Sequence, residues 1–303
     1  MKIGYIGLGK MGKNMVLRFL EKGIEVVAWN RSPEPRQEVK EKGAIVTESI
    51  EELINHLDAP RIVWLMLPAG EATDEIINKI TPLLSSGDLV IDGANAFYKD
   101  TLRRGKALSD QGVNYMDIGV SGGPDGARNG ACLMIGGEKS DYQKVVELVE
   151  AASAPNAYGH FGPLGCGHFA KMVHNGIEYG MMEAIAEGAS VLKHSGLNMD
   201  LLKIFDVYNN QSVITSRLVE WTKDALNEDV ELTNTSETID SSGEGEWTIN
   251  TAKELHVDVP VIEKAYQVRI ESKNEDKDSK NVFRNKIVSA MRGQFGHHDV
   301  KIK

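Results

Sequence analysis

The amino-acid sequence predicts an α/β fold in which a doubly wound, mostly parallel sheet is followed by an all-helical domain. Through the first half of the chain, short apolar runs alternate with helical patterns. After a glycine-rich passage at residues 155–167, the strand pattern stops and long amphipathic segments take over. Alternating strands and helices are typical of βαβ units that build a parallel sheet. We therefore expect one domain over residues 1–163 and a second over residues 164–303.

The chain opens with a pattern of strand, glycine turn, helix and strand. A buried strand is predicted at residues 2–6, a helix at 14–22 and a second strand at 25–30, which is the spacing of a βαβ unit. Later apolar runs predict strands at residues 62–67, 89–91, 115–118 and 131–135. Helical patterns between them predict helices that include residues 71–84 and 101–111.

The second half of the sequence predicts helices joined by polar segments. One long helix is expected over residues 167–195, because no proline interrupts it and only three glycines weaken it. The acidic, polar stretch at 227–246 predicts a loop. The charged stretch at 270–280 predicts a solvated connection between helices.

Composition and charge exclude several classes of protein. The 303 residues carry a formal net charge of −10, which argues against a general binder of nucleic acid or anionic membranes. Local cations can still hold an anionic substrate. No stretch approaches the roughly 18 apolar residues of a membrane span. Two cysteines, Cys132 and Cys166, provide no disulfide framework, and no signal pattern opens the chain. We expect a cytoplasmic protein without a metal.

Three glycines mark a dinucleotide-binding turn of the Rossmann type. Gly7, Gly9 and Gly12 follow the first predicted strand and open the first predicted helix. In such a turn, glycine permits the tight bend, the close approach of the backbone to a pyrophosphate and the packing of helix on strand. The amino terminus of the helix offers N–H groups to the phosphates. Since both the strand and the helix are in place, the motif predicts a cofactor site.

The end of the second predicted strand favours NADP over NAD. Asn30, Arg31 and Ser32 stand there, where a carboxylate would hydrogen-bond the ribose 2′-hydroxyl of NAD. A guanidinium can instead hold a 2′-phosphate with two hydrogen bonds. An arginine can also stack on adenine, so NAD stays open as the cofactor.

A second motif lies on the long predicted helix. Lys171, His174, Asn175 and Glu178 are spaced by three, four and seven residues, so they share one helix face. An amine, a carboxyl and two hydrogen-bonding groups on one face indicate a reaction site, and the alternative is a solvated face. The opposite face is apolar, which predicts a helix buried on several sides. Buried charges then need partners or a ligand. The apolar positions are Phe169, Met172, Val173 and Ile177.

The segment from Gly165 to Tyr179 resembles the signature of the decarboxylating 6-phosphogluconate dehydrogenases. The resemblance implies oxidation of 6-phosphogluconate at carbon 3, loss of carbon dioxide and formation of ribulose 5-phosphate with reduction of NADP or NAD. It further implies a role in the pentose phosphate pathway or gluconate use, and a homodimer or dimer of dimers. Lys171 matches the general base of the family, and Glu178 matches the acid that protonates carbon 1.

The resemblance and the glycine motif together assign the remaining site residues. The cofactor-binding residues are Gly7, Leu8, Gly9, Lys10, Met11, Gly12, Asn30, Arg31, Ser32, Leu67, Pro68, Ala69 and Asn95. The substrate-binding residues are Asn95, Ser121, Gly122, Gly123, His174, Asn175, Tyr179, Arg269, Arg292 and His298. The segments around Asn95 and Ser121 follow predicted strands, where open sheets place ligands, although either could be a simple turn.

The sequence also departs from the family in two respects. It is shorter than the common form, mainly in the helical half, and it resembles the short bacterial form. Residues 241–247 lack the lysine that binds the substrate phosphate in the common form. The alternative is a non-decarboxylating β-hydroxyacid dehydrogenase of another small sugar acid, which has no use for Glu178 or Arg269. A third reading, an inactive dinucleotide sensor, would predict loss of Lys171 or Glu178, and both are present.

Overall fold

The computed structural model describes residues 1–241, 243–297 and 299–300. The chain divides into two compact units, Met1–Met172 and Val173–Lys303. The domain boundary that we predict at residues 163/164 lies just before the long helix, whereas the two units divide within that helix. The predicted boundary stays a prediction.

The first unit contains a sheet of eight strands with helices between them, within the residues described. The strands are β1 Lys2–Ile6, β2 Glu25–Trp29, β3 Ile45–Val46, β4 Ile62–Leu65, β5 Leu89–Asp92, β6 Asn114–Ser121, β7 Ala131–Gly136 and β8 Ser153–Gly162. The helices are α1 Lys10–Glu21, α2 Pro33–Lys40, α3 Ile50–Asn55, α4 Glu71–Ile80, α5 Tyr98–Ser109, α6 Gly123–Asn129, α7 Lys139–Lys144 and α8 Val146–Ala152.

The strand order is β3-β2-β1-β4-β5-β6-β7-β8, and neighbouring strands are parallel except β6 and β7. This order confirms the predicted doubly wound, mostly parallel sheet. The chain moves outward from β1 in one direction and then restarts at β4 on its other side. Such a switch point leaves a crevice at the carboxyl ends of β1 and β4, where open sheets bind ligands.

The first unit has its apolar core on both faces of the sheet. Tyr5, Phe19 and Trp64 are fully buried and meet on one face, with ring centroids 5.7–6.3 Å apart. Leu53 and Ile80 belong to the apolar cluster on the other face. Each large side chain buried in this way contributes roughly 1.5–3 kcal/mol. Because helices cover both faces, the strands read as continuous apolar runs and are recognisable in the sequence.

The sequence prediction was wrong about β8 and about several element ends. The prediction placed no strand in residues 153–162, yet β8 pairs with β7 there. Proline and glycine in this stretch hide the strand pattern, and both are tolerated because β8 lies at the sheet edge. The first helix begins at Lys10, four residues earlier than predicted, because Gly9 adopts an extended N-cap conformation. Other differences are small: β2 ends at Trp29, β4 at Leu65 and α4 at Ile80, and α5 begins at Tyr98.

The second unit is helical in its described residues. The helices are α9 Cys166–Lys193, which begins in the first unit, α10 Leu201–Tyr208, α11 Arg217–Glu228, α12 Glu244–Glu254, α13 Pro260–Glu271 and α14 Asn281–Gly296. The predicted long helix is therefore confirmed as α9. The core of the unit includes Met182, Val219, Ile287 and Met291, each at most 1% exposed. The loop after α11 and the connection between α13 and α14 also occur as predicted.

One expectation about α9 was wrong. Ile177, on the face predicted to be buried, is 52% exposed, and Met181 and Val191 further along the helix are 43% and 71% exposed. Burial of a side chain depends on the elements packed around it, so an apolar residue type alone does not determine it.

Among the helices of the described residues, none combines the length and apolar character that crossing a membrane requires.

We predict that Gly12→Ala destabilises the protein and that Gly9→Ala does not. A Cβ at Gly12 would lie 2.0 Å from the carbonyl oxygen of Gly7, which is backbone and cannot move aside. A Cβ at Gly9 would meet nothing within 4 Å, and the φ of Gly9 is −65°. Thermal and denaturant unfolding should show a loss of about 1–3 kcal/mol or more for Gly12→Ala and a change within about 0.5 kcal/mol for Gly9→Ala. Equal stability of the two variants would contradict this account.

Candidate active site

The glycine turn after β1 has the conformation that its sequence requires. Gly7 has a φ of +104°, a region that L side chains rarely adopt. Its N–H donates to the carbonyl oxygen of Trp29 at 3.0 Å, and a Cβ at this position would lie 2.2 Å from the carbonyl oxygen of Met66. Gly7 is therefore held between β2 and the segment after β4, and no other residue fits there.

Asn30 ties this turn to the end of β2. Its Oδ1 accepts a hydrogen bond from the N–H of Leu8 at 2.9 Å, and its Nδ2 donates to the carbonyl oxygen of Ser32 at 3.1 Å. The side chain of Asn30 thus positions the turn, whereas the neighbouring Arg31 is exposed. Arg31 lies just after the carboxyl end of β2, which is where folds of this type recognise the ribose of a dinucleotide.

The amino terminus of α1 is suited to an anion. The helix begins at Lys10 after Gly9, and no side chain caps it. The first N–H groups of any helix lack intrahelical partners and attract negative charge. Gly9 and Lys10 are exposed, Met11 is half-buried and Gly12 is buried. The turn therefore presents bare backbone to solvent beside the helix terminus.

Two further predicted cofactor segments are joined by a buried arginine that the sequence reasoning missed. Pro68 and Ala69, in the loop after β4, and Asn95, after β5, are exposed, and Leu67 is half-buried. Arg104 of α5 is 2% exposed. Its Nη2 donates to the carbonyl oxygen of Gly70 at 3.1 Å, and its Nη1 lies 3.5 Å from Asp92 Oδ2. One guanidinium thus connects the loop after β4 with the end of β5.

The charge of Arg104 is compensated inside the protein. Its Nε donates to Asp74 Oδ1 at 2.8 Å. Burial by itself lowers the pKa of Arg104, but the hydrogen bond to Asp74 and the charge of Asp92 raise it overall. Asp92 also accepts from the Tyr115 hydroxyl at 2.6 Å and from the N–H of Ala94 at 3.0 Å. The network therefore orders the backbone that leads to Asn95.

Strand β6 organises the start of α9. Asp117, Gly119 and Ser121 alternate along β6 and so share one face. Both oxygens of the buried Asp117 carboxylate are used: Oδ1 accepts from the N–H of Gly165 at 2.7 Å and Oδ2 from the N–H of His168 at 2.6 Å. Asp117 therefore caps the amino terminus of α9, a function that the sequence reasoning did not assign.

Lys171 lies directly over Gly119. A Cβ at position 119 would be 2.4 Å from the Cβ of Lys171, so glycine is needed for the helix to pack this closely. Lys171 is 7% exposed. The next residue on the same face of β6 is Ser121. The structure thus brings the predicted base and a predicted substrate-binding residue to the same strand.

The predicted glycine pair after β6 has an unusual backbone. Gly122 has a φ of +123° and Gly123 a φ of +62°, both in the region that favours glycine. Gly122 is the N-cap of the short helix α6, and no side chain caps it. The chain therefore reverses at the carboxyl end of β6 with half-buried backbone beside Ser121.

The second unit holds the other predicted residues of α9. His174 Nδ1 lies 3.0 Å from Asn175 Oδ1 and 3.8 Å from Glu178 Oε2. Asn175 is 8% exposed. Lys171 and Glu178 are seven residues apart on one continuous helix, which corresponds to two turns and a rise of about 10.5 Å.

Tyr179 is enclosed between an arginine and a glycine of the second unit. The guanidinium carbon of Arg269 lies 3.4 Å from the centroid of the Tyr179 ring, a cation–π contact. A Cβ at Gly245 would lie 2.6 Å from Cε2 of the same ring. Arg269 is 3% exposed, and its Nη1 donates to the carbonyl oxygen of Asp240 at 3.3 Å.

Two buried arginines gather in this unit. Arg292 of α14 is 7% exposed. Burial lowers the pKa of Arg269, and the charge of Arg292 lowers it further, while Tyr179 and Glu178 oppose the shift. Guanidinium groups bind anions with several oxygens well, so two of them close together are suited to such a ligand. His298, which we also predict to bind substrate, lies outside the described residues.

A metal was not expected, and the described residues contain no group of three His, Cys, Asp or Glu side chains arranged to hold one. The absence of a metal stays a prediction.

The sequence could have pointed to Asp117, because its position two residues before Gly119 and four before Ser121 places it on the same strand face. Nothing in the sequence alone could have paired Arg104 with Gly70.

The fold and the glycine turn define a dinucleotide-binding oxidoreductase. Residues 2–162 match the NAD binding domain of 6-phosphogluconate dehydrogenase, and residues 167–297 match the 6-phosphogluconate dehydrogenase C-terminal domain. The chain belongs to the 6-phosphogluconate dehydrogenase family, whose enzymes depend on NAD or NADP.

Relatives of similar length support this assignment. The chain is 41% identical to "Putative 6-phosphogluconate dehydrogenase YqeC" of Bacillus subtilis over 303 residues, which is 100% of both chains. It is 36% identical to the NAD(+)-dependent decarboxylating 6-phosphogluconate dehydrogenase of Haloferax volcanii, covering 100% of this chain and 99% of that protein. Longer relatives also match: the NADP(+)-dependent decarboxylating enzyme of B. subtilis is 40% identical over 86% of this chain and 59% of its own length.

Solved structures show the same architecture. The 6-phosphogluconate dehydrogenase of Plasmodium falciparum superposes with a TM-score of 0.82 at 34% identity, over 96% of this chain and 70% of that one. The 3-hydroxyisobutyrate dehydrogenase of Mycobacterium tuberculosis has a TM-score of 0.74 at 20% identity, over 96% of this chain and 99% of that one. The second likeness shows the shared fold alone.

We predict that Asp117→Asn impairs both folding and turnover. An asparagine keeps one acceptor oxygen but turns an amide nitrogen toward the second N–H, so the start of α9 loses a charge-assisted hydrogen bond. The expected loss of unfolding free energy is about 2–4 kcal/mol. Turnover should fall because Lys171 is in the second turn of this helix, while cofactor affinity should stay within about twofold. The exposed Asp110→Asn serves as the control. A variant with wild-type stability and turnover would refute this role for Asp117.

Proposed function

We propose that this protein oxidises and decarboxylates 6-phospho-D-gluconate to D-ribulose 5-phosphate and carbon dioxide, with NADP or NAD as hydride acceptor. Family membership supports the reaction class. The observation that carries the assignment to this substrate is the buried pair Arg269 and Arg292 beside Tyr179, in a unit that also presents Glu178 on α9. A phosphate with two negative charges suits that pair.

In the proposed oxidation, Lys171 is the general base. It accepts the proton of the carbon 3 hydroxyl as hydride leaves carbon 3. Bound NADP or NAD supplies the hydride acceptor. The burial of Lys171 over Gly119 supports this assignment, because a desolvated amine loses its proton more readily than an exposed one.

In the proposed decarboxylation, the same side chain acts in its protonated form. The Lys171 ammonium stabilises the negative oxygen that develops at carbon 3 as carbon dioxide leaves carbon 2. Glu178 then donates a proton to carbon 1 of the five-carbon enediol, which is the former carbon 2 of the substrate. The two residues have to act on different carbons of one substrate, and the two-turn separation along α9 is consistent with that requirement.

The remaining contacts divide between the two ends of the substrate. We assign Tyr179, Arg269, Arg292 and, by family resemblance alone, His298 to the phosphate. The hydroxyls and the carboxylate are assigned to Asn95, Ser121, Gly122, Gly123, His174 and Asn175. Because residues 241–247 contain no lysine, the phosphate depends more on the arginines than it does in the longer enzymes.

We propose NADP as the preferred cofactor, held by the fingerprint residues 7–12, by residues 30–32 and 67–69, and by Asn95. Arg31 is exposed at the end of β2, and no carboxylate stands in the residues beside it, 30–32, to repel a 2′-phosphate. One relative is named NAD(+)-dependent and another NADP(+)-dependent, so the family includes both preferences.

We further propose a homodimer or a dimer of dimers. Ile177, Met181 and Val191 are exposed on one face of α9, with the exposed small residues Ala184 and Gly188 between them. The spacing of these five positions is helical, so they form one continuous apolar stripe. Such a stripe is best covered by an apolar surface, and a second copy of the chain offers an identical one. A cytoplasmic location stays a prediction.

The substrate assignment predicts a specific pattern of activity. NADPH should form with 6-phosphogluconate, together with one carbon dioxide per NADPH, and not with gluconate, 3-hydroxyisobutyrate or glycerate. Lys171→Met should lower kcat by about 10²–10⁴-fold, the usual contribution of a general base, with the dissociation constant of NADP unchanged within about twofold. Absorbance at the nicotinamide band and carbon dioxide capture measure both products.

Three results would count against this assignment. Turnover of Lys171→Met within tenfold of the wild type would show that Lys171 is not the general base. NADPH formation from 3-hydroxyisobutyrate without carbon dioxide would favour the non-decarboxylating alternative. Equal rates with gluconate and 6-phosphogluconate would contradict the assignment of a phosphate-binding site.

We predict that Arg31→Ala weakens NADP binding and spares NAD. Loss of a charge-assisted contact to the 2′-phosphate costs on the order of 1.5–3 kcal/mol, so the dissociation constant of NADP should rise roughly tenfold or more. NAD has no such phosphate, and its dissociation constant should change by less than about threefold. Lys40→Ala, an exposed charge on α2, is the matched control. An equal loss for both cofactors would mean that Arg31 stacks on adenine.

A further inference from the structure

The second unit contains a buried carboxylate that the proposed reaction does not use. Glu183 is 6% exposed and lies on α9 four residues after Tyr179, so the two side chains are neighbours on one helix face. Removing a carboxylate from water disfavours its charged form unless partners compensate.

The nearest cation compensates Glu183 incompletely. Arg284 Nε of α14 lies 3.2 Å from Glu183 Oε1, but Arg284 Nε and Nη2 donate to Asn285 Oδ1 at 3.1 and 2.9 Å. Glu183 Oε1 consequently has no hydrogen-bond donor. Arg284 is also shared with Glu275, whose Oε2 lies 3.8 Å from Nη2. Oε1 of Glu183 thus has an ion-pair partner but no hydrogen-bond donor.

Glu183 also has a neighbour in the proposed phosphate site, Arg269. The guanidinium of Arg269 stacks on Tyr179, and its Nη2 lies 3.6 Å from the sulfur of Met182, the residue before Glu183. Arg292 follows Arg284 by eight residues on α14, about two turns along that helix. Arg269 and Glu183 act on each other's charge, so the carboxylate lies near one of the two arginines to which we assign the phosphate.

The charged groups around Glu183 come from three helices and a connection. Burial raises its pKa to about 7, and the like charge of Glu187 adds to the rise. Arg284, Arg269 and Lys264 oppose the rise without cancelling it. Glu275, in the connection before α14, competes for Arg284. The surroundings of Glu183 therefore stabilise its charged form poorly.

We propose that Glu183 takes up a proton from solvent when the phosphate of the substrate binds to Arg269 and Arg292. This inference rests on the proposed function, because it requires the phosphate at those arginines. The proton binds to a carboxylate oxygen, so that the two charges of the phosphate are not opposed by a third negative charge buried beside them. Glu183 is a positioning residue that acts through the charge around Arg269 and does not touch the reacting atoms.

The sign of the pH dependence follows from like-charge repulsion. A bound dianion disfavours the charged form of Glu183, so the pKa of Glu183 rises in the complex. Binding then takes up protons between the unliganded and the bound pKa, and affinity falls as the pH rises through that interval. A rise of one pKa unit corresponds to about half a proton at the midpoint and to about a tenfold loss of affinity across the interval.

Calorimetry of 6-phosphogluconate binding tests the proposal. Titrations at pH 7.5 in two buffers with different ionisation enthalpies give the number of protons taken up. We expect about half a proton for the wild type and a value near zero for Glu183→Gln, which is isosteric and always neutral. Glu228→Gln removes an exposed charge at the end of α11 that is not among the groups acting on Glu183, so it should retain the uptake and is the control.

The dissociation constant between pH 6 and 9 provides the second readout. The wild type should lose affinity with rising pH about tenfold more than Glu183→Gln does, and this comparison cancels the titration of the phosphate itself. Uptake that persists in Glu183→Gln, or no uptake in the wild type, would overturn the inference while the proposed function stood. No binding of 6-phosphogluconate by the wild type would overturn both.

Discussion

The buried carboxylate of Asp117 is the contact on which the candidate site depends. It accepts two backbone hydrogen bonds at the start of α9 and so determines where that helix begins against β6. Gly119, on the same strand face, lets the helix approach until Lys171 lies over the strand. Every later residue of α9 inherits its place from this start, because a helix advances by about 1.5 Å and 100° per residue. Without the cap, the first turns of α9, which carry Lys171, would lose their anchor on β6.

Buried arginines in the two units differ in how their charges are compensated. Arg104 is surrounded by Asp74, Asp92 and a carbonyl oxygen, so its charge is satisfied within the protein and its effect is to hold loops in place. Arg269 instead stacks on Tyr179 and is opposed by Arg292. Glu178 and Glu183 offset this repulsion only in part, because the pKa of Arg269 stays lowered, and we propose that a phosphate supplies further negative charge.

The fold was largely predictable, and the errors have physical causes. Buried parallel strands and the uninterrupted helix α9 carry strong patterns, because packing on both faces demands apolar residues along their whole length. Strand β8 has a weak sequence pattern, because an edge strand with one partner tolerates proline and glycine. Ile177 was expected to be buried and is exposed, because an apolar side chain is equally compatible with the interior and with an uncovered surface.

The sequence by itself determined the alternation of most strands and helices, the glycine turn of the cofactor site, and the spacing of Lys171, His174, Asn175 and Glu178. These are local properties, because residue type and helical period can be read from residues that are close together in the chain. The tertiary structure alone decided that Asp117 caps α9, that Arg104 joins two loops, and that Glu183 lies beside Arg284 with its Oε1 lacking a hydrogen-bond donor. Such contacts join residues that are far apart in the chain, and their energies depend on desolvation and geometry, neither of which a linear pattern contains.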